Sequence, residues 1–364
     1  MTQSDLPPVD PGRLRDLLRA HLGSDAIGFS ELPTLLGQGG EAVVEAFALR
    51  GAEDPRWNAP LVLRRLMAQK DPVQLRWEAA VHEALGELGY PVPRVLHVET
   101  DPKPLGAPFL VAERVPGEVM LQAVTRPTEL ARKPHRFPSL IFDALFRVPK
   151  LLAESQARLH GLDPTPLREG LTDAGLSPRE VRFDTWLARI GQNLRNADLD
   201  GLVEGHVWLE RHRPSQSREV IGHGDFVFTN LCVEGGRVSG VFDWSTVGLA
   251  EREWDVAATL ARLRSNVPGM PPWVDAITRR VQAGMVRRYL AAYEACAPLD
   301  PERLRYYDAY WLLYELTRSG ERLRAGGEAG EAIETRWLHP ETIAKGVREF
   351  RELTGVELEP LLPS

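Results

Sequence analysis

Cysteine is scarce in this sequence, and long apolar runs are missing from it. Only Cys232 and Cys296 occur in the 364 residues, which argues against a disulfide framework and indicates a reducing compartment. No stretch approaches the roughly 18 uninterrupted apolar residues of a membrane-spanning helix. The N-terminal residues show no basic segment followed by an apolar one, as a secretory signal would. We therefore expect a cytoplasmic protein that does not enter a membrane.

Positive charge is neither in excess nor clustered. The chain has 44 Lys and Arg against 51 Asp and Glu, a formal net charge of −7, and its basic residues are spread out. This distribution argues against nucleic acid as a partner. The apolar content of 43% and the charged content of 26% are ordinary for a globular protein. The length allows two lobes and leaves the oligomeric state open.

Strand-like and helix-like patterns occupy different parts of the chain. Residues 1–28 predict a loose tail before Asp10 and then a short helix that Asp10 caps. Residues 29–115 predict mainly strands and one helix, which starts near Asp71–Pro72. Residues 116–364 predict mainly helices. We therefore expect an α+β fold with a small N-terminal β-sheet lobe and a larger, mostly helical C-terminal lobe. The apolar stripe of the N-terminal lobe's helix is predicted at Trp77, Val81, Leu85 and Leu88.

The segment HGDFVFTN, followed later by VFDW, concentrates polar side chains between short strand-like runs. Asp225 and Asn230 stand five positions apart, and Asp243 follows thirteen positions later. A hairpin with its turn at Gly235–Gly236 would bring Asp243 beside Asn230. Carboxylate and amide oxygens suit Mg²⁺, and Asp225 would then accept the proton of a hydroxyl. Phosphoryl transfer requires this combination of a metal and a positioned carboxylate.

These two motifs resemble the catalytic and metal motifs of the aminoglycoside phosphotransferase family, which shares the bilobal fold of protein kinases. The resemblance extends from about Glu31 to Arg324 and includes the segments PVPRVL, PFLVAERVPG and LLAESQARLHGLDP. It implies a protein-kinase-like fold and transfer of the γ-phosphate of ATP, with GTP as an alternative, to a small-molecule hydroxyl with Mg²⁺. Residues 29–115 would then be a nucleotide-binding N-lobe, and residues 116–364 a C-lobe for catalysis and acceptor binding.

The resemblance also assigns roles within the two motifs. It implies that Asp225 is the catalytic base, that Asn230 and Asp243 bind Mg²⁺, and that His223 orders the catalytic loop. From the residues alone, Asp225 is alternatively a turn cap and His223 a buried structural histidine. Asp255, in REWDVA, is interpreted as a carboxylate that braces a loop at a helix start rather than as a metal ligand.

Two further segments resemble nucleotide-binding parts of the family. LLGQGGEAVVEAF occupies the place of the phosphate-covering loop, where Gly37, Gly39 and Gly40 would let backbone amides approach phosphates. A plain hairpin turn would need the same glycines. AERVPG resembles the hinge, where the carbonyl of Glu113 and the amide of Val115 would bind the nucleobase.

The strand LVLRRL carries a departure from the family. Strand alternation puts Val62 and Arg64 on one face, so Val62 would line the adenine pocket and Arg64 stands where the family has lysine. This replacement resembles the branch linked to acyl-CoA dehydrogenases. Arginine can still bridge phosphate and carboxylate, with Glu78 as the expected partner and Glu83, about 140° away around the helix, as the rival. The alternative for Arg64 is a solvated cation at a strand end.

The acceptor does not follow from family membership. Glu251 and Glu253 either bind an amine-bearing acceptor or form a solvated loop face, and we favour the second interpretation. The aromatic residues of YYDAYWLLYEL are interpreted as core rather than as the wall of an acceptor pocket. The family resemblance leaves antibiotics, amino alcohols, sugars and hydroxyacyl thioesters as candidate acceptors.

Two other functions stay open at this point. A catalytically silent nucleotide-binding pseudokinase that acts through a protein partner would account for Arg64. A metal-dependent hydrolase would need further His or Asp ligands near His223, and the other histidines are scattered along the sequence.

Overall fold

The structure, a computed structural model, describes residues 6–38, 42–67, 70–120, 142–265, 272–327, 338–359 and 361. The described part of the chain contains ten α-helices: α1 Pro11–Leu22, α2 Val73–Glu87, α3 Val148–His160, α4 Thr165–Asp173, α5 Phe183–Asn196, α6 Val203–Arg211, α7 Arg252–Leu263, α8 Pro272–Cys296, α9 Pro301–Arg324 and α10 Pro340–Thr354. Over the same ranges it contains ten strands: β1 Gly28–Gln38, β2 Ala42–Arg50, β3 Pro60–Leu66, β4 Val95–Glu99, β5 Phe109–Glu113, β6 Glu118–Val119, β7 Val220–Gly222, β8 Leu231–Glu234, β9 Arg237–Val241 and β10 Gly248–Ala250.

The chain divides into two compact units. Unit 1 comprises Met1–Glu118, Thr165–Ser177 and Cys232–Ser245, and unit 2 comprises Val119–Pro164, Pro178–Leu231 and Thr246–Ser364. Unit 1 holds a five-stranded antiparallel sheet and unit 2 is mostly helical, so the predicted α+β class is confirmed. The predicted domain limits stay a prediction; unit 1 also includes α4 and β9.

The sheet of unit 1 has the strand order β1–β2–β3–β5–β4. Successive side chains of a strand point to opposite faces. Accordingly, Leu61 and Leu63 of β3 are fully buried, whereas Val62 and Arg64 are half-buried. The predicted alternation along this strand is therefore confirmed. The core on the Leu61 face consists of Val9, Leu14, Leu18, Ile27, Phe47, Leu49, Trp57, Leu61, Leu63, Leu105, Phe109 and Val111.

The segment just before α1 is held by a buried ion pair, so the predicted loose tail is wrong for residues 6–9. Arg65 Nε donates to Glu45 Oε2 at 3.0 Å, and both side chains are only 2% exposed. The main chain of the segment forms further hydrogen bonds with both side chains of the pair. Val9 N donates to Glu45 Oε1 at 2.7 Å, and Arg65 Nη2 donates to the Pro7 carbonyl at 2.6 Å. A buried ion pair requires such extra partners, and they fix this segment.

Both helices predicted in the N-terminal part of the chain are present. Asp10 Oδ1 caps α1 by accepting from Arg13 N at 2.7 Å. Asp71 Oδ1 accepts from Val73 N at 2.9 Å at the start of α2, and Gly89 follows the end of α2 with φ of 70°. The predicted starts of α1 and α2 are therefore confirmed.

The predicted apolar stripe of α2 is only partly right. Val81 and Leu85 are buried, but Trp77 and Leu88 are half-buried. The buried face instead includes two alanines, because α4 packs against α2. A Cβ added at Gly170 of α4 would lie 3.7 Å from Ala84 Cβ. The residues of α2 that are buried are Leu75, Ala80, Val81, His82, Ala84 and Leu85.

Unit 2 is built around α7, which packs along α9. The ring centroids of Trp254 in α7 and Trp311 in α9 lie 5.2 Å apart. Tyr306, Tyr307 and Tyr310 are also buried, so the interpretation of this aromatic helix as core is confirmed. None of the helices in the described ranges combines the length and the apolar character needed to cross a membrane.

The Glu45–Arg65 pair generates a stability prediction. Glu45→Gln leaves a buried guanidinium without its counter-charge, so we expect the free energy of unfolding to fall by about 3–5 kcal/mol. Urea denaturation followed by circular dichroism measures this loss. Glu31→Gln makes the same change at an exposed position of β1 and is expected to stay within about 0.5 kcal/mol of wild type. Equal losses in the two variants would contradict the assignment.

Candidate active site

The catalytic loop predicted in unit 2 begins where β7 ends. β7 pairs antiparallel with β10, with Gly222 opposite Gly248. Gly224 has φ of 76°, and a Cβ at this position would overlap the main-chain carbonyl of Thr246. Only glycine therefore fits the first turn of the loop.

His223 lies inside the loop. Its side chain is fully buried, and its Nδ1 accepts from Asp225 N at 3.2 Å. Thr246 Oγ1 donates to the His223 carbonyl at 2.9 Å. These contacts and the burial of the ring fit a residue that orders the loop. Its functional role stays a prediction.

The buried carboxylate of Asp255, in α7, is hydrogen-bonded to the main chain of the loop. Asp255 is fully buried, and its Oδ1 accepts from Gly224 N at 2.6 Å. Its Oδ2 accepts from Gln156 Nε2 at 2.8 Å and lies 2.9 Å from His160 Nε2. Burial alone would raise the pKa of Asp255, but the hydrogen bonds with His160, Gln156 and Gly224 lower it below its ordinary value. The interpretation of Asp255 as a loop brace is confirmed.

Asp225 and Asn230 are brought together within unit 2. Asn230 Nδ2 donates to the Asp225 carbonyl at 3.0 Å and to Asp225 Oδ2 at 3.1 Å. The amide oxygen of Asn230 accepts a long contact from Thr229 Oγ1, at 3.5 Å. The Asp225 side chain is 30% exposed, so a hydroxyl can approach it.

A residue that sequence reasoning missed also contacts Asp225. Arg262 Nε donates to Asp225 Oδ1 at 2.8 Å, and its Nη1 lies 2.6 Å from Glu315 Oε1. Burial opposes the charge of this guanidinium, but the carboxylates of Glu315 and Asp225 raise its pKa above the usual range, so Arg262 stays protonated. One signal was available: Arg262 follows Asp255 by seven positions, which places both residues on one face of α7.

The ion pair predicted for the nucleotide side is present in unit 1. Arg64 Nη1 lies 2.8 Å from Glu78 Oε2, and the side chains are 16% and 12% exposed. The rival Glu83 is exposed on α2. Arg64 is therefore not a solvated strand-end cation. Whether it binds phosphate, and whether its neighbour Val62 contacts adenine, stay predictions.

The glycine-rich turn and the hinge segment are only partly described. Gly37 lies in β1 opposite Val44, with no atom within 4 Å of a Cβ added to it. The predicted residues Gly39 and Gly40 lie outside the described residues.

The hinge residues stand at and after the end of β5. Glu113 N donates to the Arg94 carbonyl at 2.9 Å, and the Val115 side chain packs against Gly240 of β9. The nucleobase contacts expected from Glu113 and Val115 stay predictions.

Asp243 follows β9 in a left-handed backbone conformation, with φ of 66°. This conformation is uncommon for residues other than glycine. Asp243 Oδ1 accepts from Ser245 Oγ at 2.9 Å. Asp243 belongs to unit 1, whereas Asn230 belongs to unit 2, so their predicted meeting at a metal stays a prediction. Gly235 and Gly236 form the predicted turn between β8 and β9, with φ of 57° and 80°.

The interpretation of Glu251 and Glu253 as a solvated loop face is wrong. They are only 8% and 4% exposed. Glu251 accepts hydrogen bonds from Tyr307 Oη and from Ser217 N, the latter at 3.3 Å. Glu253 Oε1 accepts from Asp300 N at 3.1 Å. Both carboxylates thus anchor segments of unit 2, which the sequence could not indicate because their partners lie far away along the chain.

The comparisons with known proteins point to phosphotransferases. A family model described as "Phosphotransferase enzyme family" matches residues 46–307. The chain is 27% identical over 281 residues to the aminoglycoside 3'-phosphotransferase of Streptomyces fradiae, covering 74% of this chain and 90% of that protein. It is 26% identical over 257 residues to mouse acyl-CoA dehydrogenase family member 10, covering 67% of this chain. The chain spans only about a quarter of that relative's length, 23%.

A solved structure shows the same fold. It is a thermostable mutant of aminoglycoside phosphotransferase APH(4)-Ia, in ternary complex with ADP and hygromycin B. The TM-score is 0.54 at 17% identity, over 86% of this chain and 94% of that chain. The predicted protein-kinase-like fold is therefore confirmed.

The lowered pKa of Asp255 generates a pH-dependent prediction. A carboxyl group whose pKa is lower in the folded than in the unfolded state stabilises the fold above its unfolded value, here about 3.8, and loses that contribution as pH falls further. Asp255→Asn is expected to cost about 3–5 kcal/mol at neutral pH. The difference in the free energy of unfolding between this variant and wild type should become smaller below about pH 4. Urea denaturation from about pH 3 to 7 measures it.

Asp308 supplies the matched control. Burial raises the pKa of Asp308, and Arg264 offsets this only in part. The Asp308 carboxyl group of the wild type therefore contributes less to the stability of the fold as pH rises through its folded-state pKa. The free energy of unfolding of Asp308→Asn relative to wild type should thus rise with rising pH, whereas that of Asp255→Asn relative to wild type should fall. The same trend in both variants would refute the pKa assignment for Asp255.

Proposed function

The chain belongs to the phosphotransferase enzyme family, and on that basis we propose that it is an ATP-dependent kinase that phosphorylates a hydroxyl group of a small molecule. The observation that carries this proposal is the Asp225 carboxylate. It is partly exposed and held between Arg262 and Asn230 in the loop whose sequence matches the family's catalytic motif. A carboxylate fixed in this way suits a residue that orients an attacking hydroxyl.

The proposed chemistry at Asp225 is limited to one proton. The acceptor hydroxyl would donate its hydrogen to a carboxylate oxygen of Asp225, which directs the hydroxyl oxygen toward the γ-phosphorus. As the new O–P bond forms and the bond to ADP breaks, the proton passes to Asp225. Arg262 and Asn230 each use one lone pair of the carboxylate oxygens, and each ionised oxygen has two, so acceptor capacity remains.

Asn230 and Asp243 are the residues proposed to hold Mg²⁺. Their donor set fits the ion, because it consists of one amide oxygen and one carboxylate. The orientation of Asn230 also fits, since its nitrogen bonds Asp225 while its oxygen is approached by Thr229 Oγ1 only at the long distance of 3.5 Å. When bound, the ion would neutralise charge on the phosphate oxygens.

The nucleotide is proposed to bind through unit 1. Arg64 would contact the phosphates while Glu78 holds it, and the glycine-rich segment with Gly37, Gly39 and Gly40 would cover them. The Glu113 carbonyl and the Val115 amide would bind the nucleobase beside Val62. ATP is favoured because the similar APH(4)-Ia structure contains ADP; GTP is the alternative to test.

The formed Arg64–Glu78 pair favours a kinase over the silent pseudokinase. The arginine in place of lysine is the only feature that pointed to a silent protein, and it makes the expected ion pair. The acceptor is to be found by an ATP-consumption screen over aminoglycosides, macrolides, amino alcohols, sugars and hydroxyacyl thioesters, with the product identified by mass. No phosphorylated product from any class, despite nucleotide binding, would favour the pseudokinase.

Asp225→Asn tests the catalytic role. We expect kcat to fall on the order of 10²–10⁴-fold while the Kd for Mg-ATP stays within about threefold of wild type. Turnover is measured by coupled ADP release and the Kd by calorimetry. Asp173→Asn, at an exposed position of α4, serves as control and should retain full activity. Wild-type turnover in Asp225→Asn would remove this residue from the mechanism.

Glu78→Gln tests the nucleotide side. Without the carboxylate, Arg64 is no longer held, so we expect the KM for ATP to rise about tenfold, equivalent to about 1.4 kcal/mol. Glu83→Gln makes the same change at the exposed rival position on α2 and should leave the KM unchanged. Steady-state kinetics with varied ATP measures both. An unchanged KM in Glu78→Gln, or equal effects at the two positions, would exclude Glu78 from nucleotide binding.

A further inference from the structure

Arg262 stands between two carboxylates at the last turn of α7. Its Nε bonds Asp225 Oδ1 at 2.8 Å, and its Nη1 lies 2.6 Å from Glu315 Oε1 of α9. Its side chain is 15% exposed, and that of Glu315 is 8% exposed. The guanidinium carbon also lies 5.7 Å from the ring centroid of Trp311.

These contacts fix the plane of the guanidinium. Nε donates a hydrogen bond to Asp225, whereas Nη1 is in ion-pair contact with Glu315 without a hydrogen bond to it. Because the guanidinium is planar and rigid, holding two of its nitrogens beside two carboxylates limits its rotation. The ring of Trp311 supports it from one side. Arg262 is therefore a rigid donor toward Asp225, and Glu315 is the residue that holds it in place.

The orientation of the Asp225 carboxylate follows from its two neighbours. Arg262 holds Oδ1, and Asn230 Nδ2 holds Oδ2 at 3.1 Å. Rotation of the carboxylate about its last bond would break both hydrogen bonds. The lone pairs that remain for a substrate hydroxyl thus point in fixed directions, as general base catalysis requires.

We propose that Arg262 is the positioning residue of Asp225 and that Glu315 keeps Arg262 in register. This inference rests on the proposed kinase function. One helix then supports the catalytic loop at two points: Asp255 of α7 holds the main chain at Gly224, and Arg262, two turns further along, holds the side chain of Asp225.

The kinetic test compares Arg262→Gln, Arg262→Lys and Glu315→Gln. A misplaced base costs on the order of 10²-fold in rate, so we expect that loss in kcat for Arg262→Gln, with the KM for ATP within about twofold of wild type. Arg262→Lys keeps the charge without the fork and should fall between wild type and Arg262→Gln. Glu315→Gln should lower kcat in the same direction by a smaller factor.

Arg264→Gln is the matched control. Arg264 lies two positions further along the same chain segment and also pairs with a carboxylate of α9, that of Asp308, at 3.1 Å. It has no contact with Asp225 among those of the described residues, and its variant should keep kcat within about twofold of wild type. Equal losses of kcat in Arg264→Gln and Arg262→Gln would show a general effect on folding and overturn the inference.

A double-variant cycle separates positioning from stability. Once Asp225 is replaced by Asn, Arg262 has no base to position, so Arg262→Gln should lower the residual kcat no further. The Tm losses of the two single variants should likewise be non-additive, as expected for residues in contact. Additive effects on kcat and on Tm would overturn the inference, as would a kcat of Arg262→Gln within twofold of wild type.

The cycle also distinguishes failure of the inference from failure of the proposed function. If the wild type phosphorylates no acceptor but the Tm losses are non-additive, the kinase proposal fails while the Arg262–Asp225 pairing stands. If the wild type is active and Arg262→Gln keeps its kcat, the kinase proposal stands and the positioning role fails.

Discussion

The hydrogen bond from Gly224 N to the buried carboxylate of Asp255 fixes the loop on which the proposed chemistry depends. A carboxylate without exposure to water would be unstable alone, but here three groups from α3 and the loop bond it. The same bonds tie α3 and α7 to the loop that follows β7. These bonds, all within unit 2, restrain the main chain of the loop on which Asp225 lies.

In each unit, a charged side chain of the proposed site is held in position by an ion pair with a side chain of opposite charge. In unit 1 the Arg64–Glu78 pair directs a cation, and in unit 2 the Arg262–Asp225 pair directs a carboxylate. Both pairs are partly shielded from water, so their attraction is screened less than that of surface pairs. Each unit thus carries its part of the proposed site in a preformed state, held by contacts within that unit.

The sequence predicted what depends on neighbouring residues. Caps such as Asp10, strand alternation in β3, the hairpin glycines and the HGDFVFTN and VFDW motifs have local signatures, and the fold class follows from them. It failed where partners are distant along the chain. Arg262 and Glu315 are separated by more than fifty positions, and Glu251 bonds a tyrosine of α9, so no spacing rule linked them. The roles assigned to the nucleotide-binding residues came mainly from the resemblance, and those of the metal ligands from motif spacing and the resemblance together. Both sets of roles remain predictions.

The backbone conformation at Asp243 limits which residue types can occupy this position and also bind a metal. A left-handed conformation is tolerated mainly by glycine, asparagine and aspartate, whereas the proposed role demands a negatively charged oxygen donor, which only aspartate and glutamate supply. Aspartate alone meets both demands. Glutamate, ordinarily a mild replacement, would keep the negative charge but disfavour the left-handed backbone conformation. Asparagine would keep the backbone conformation but remove the charge.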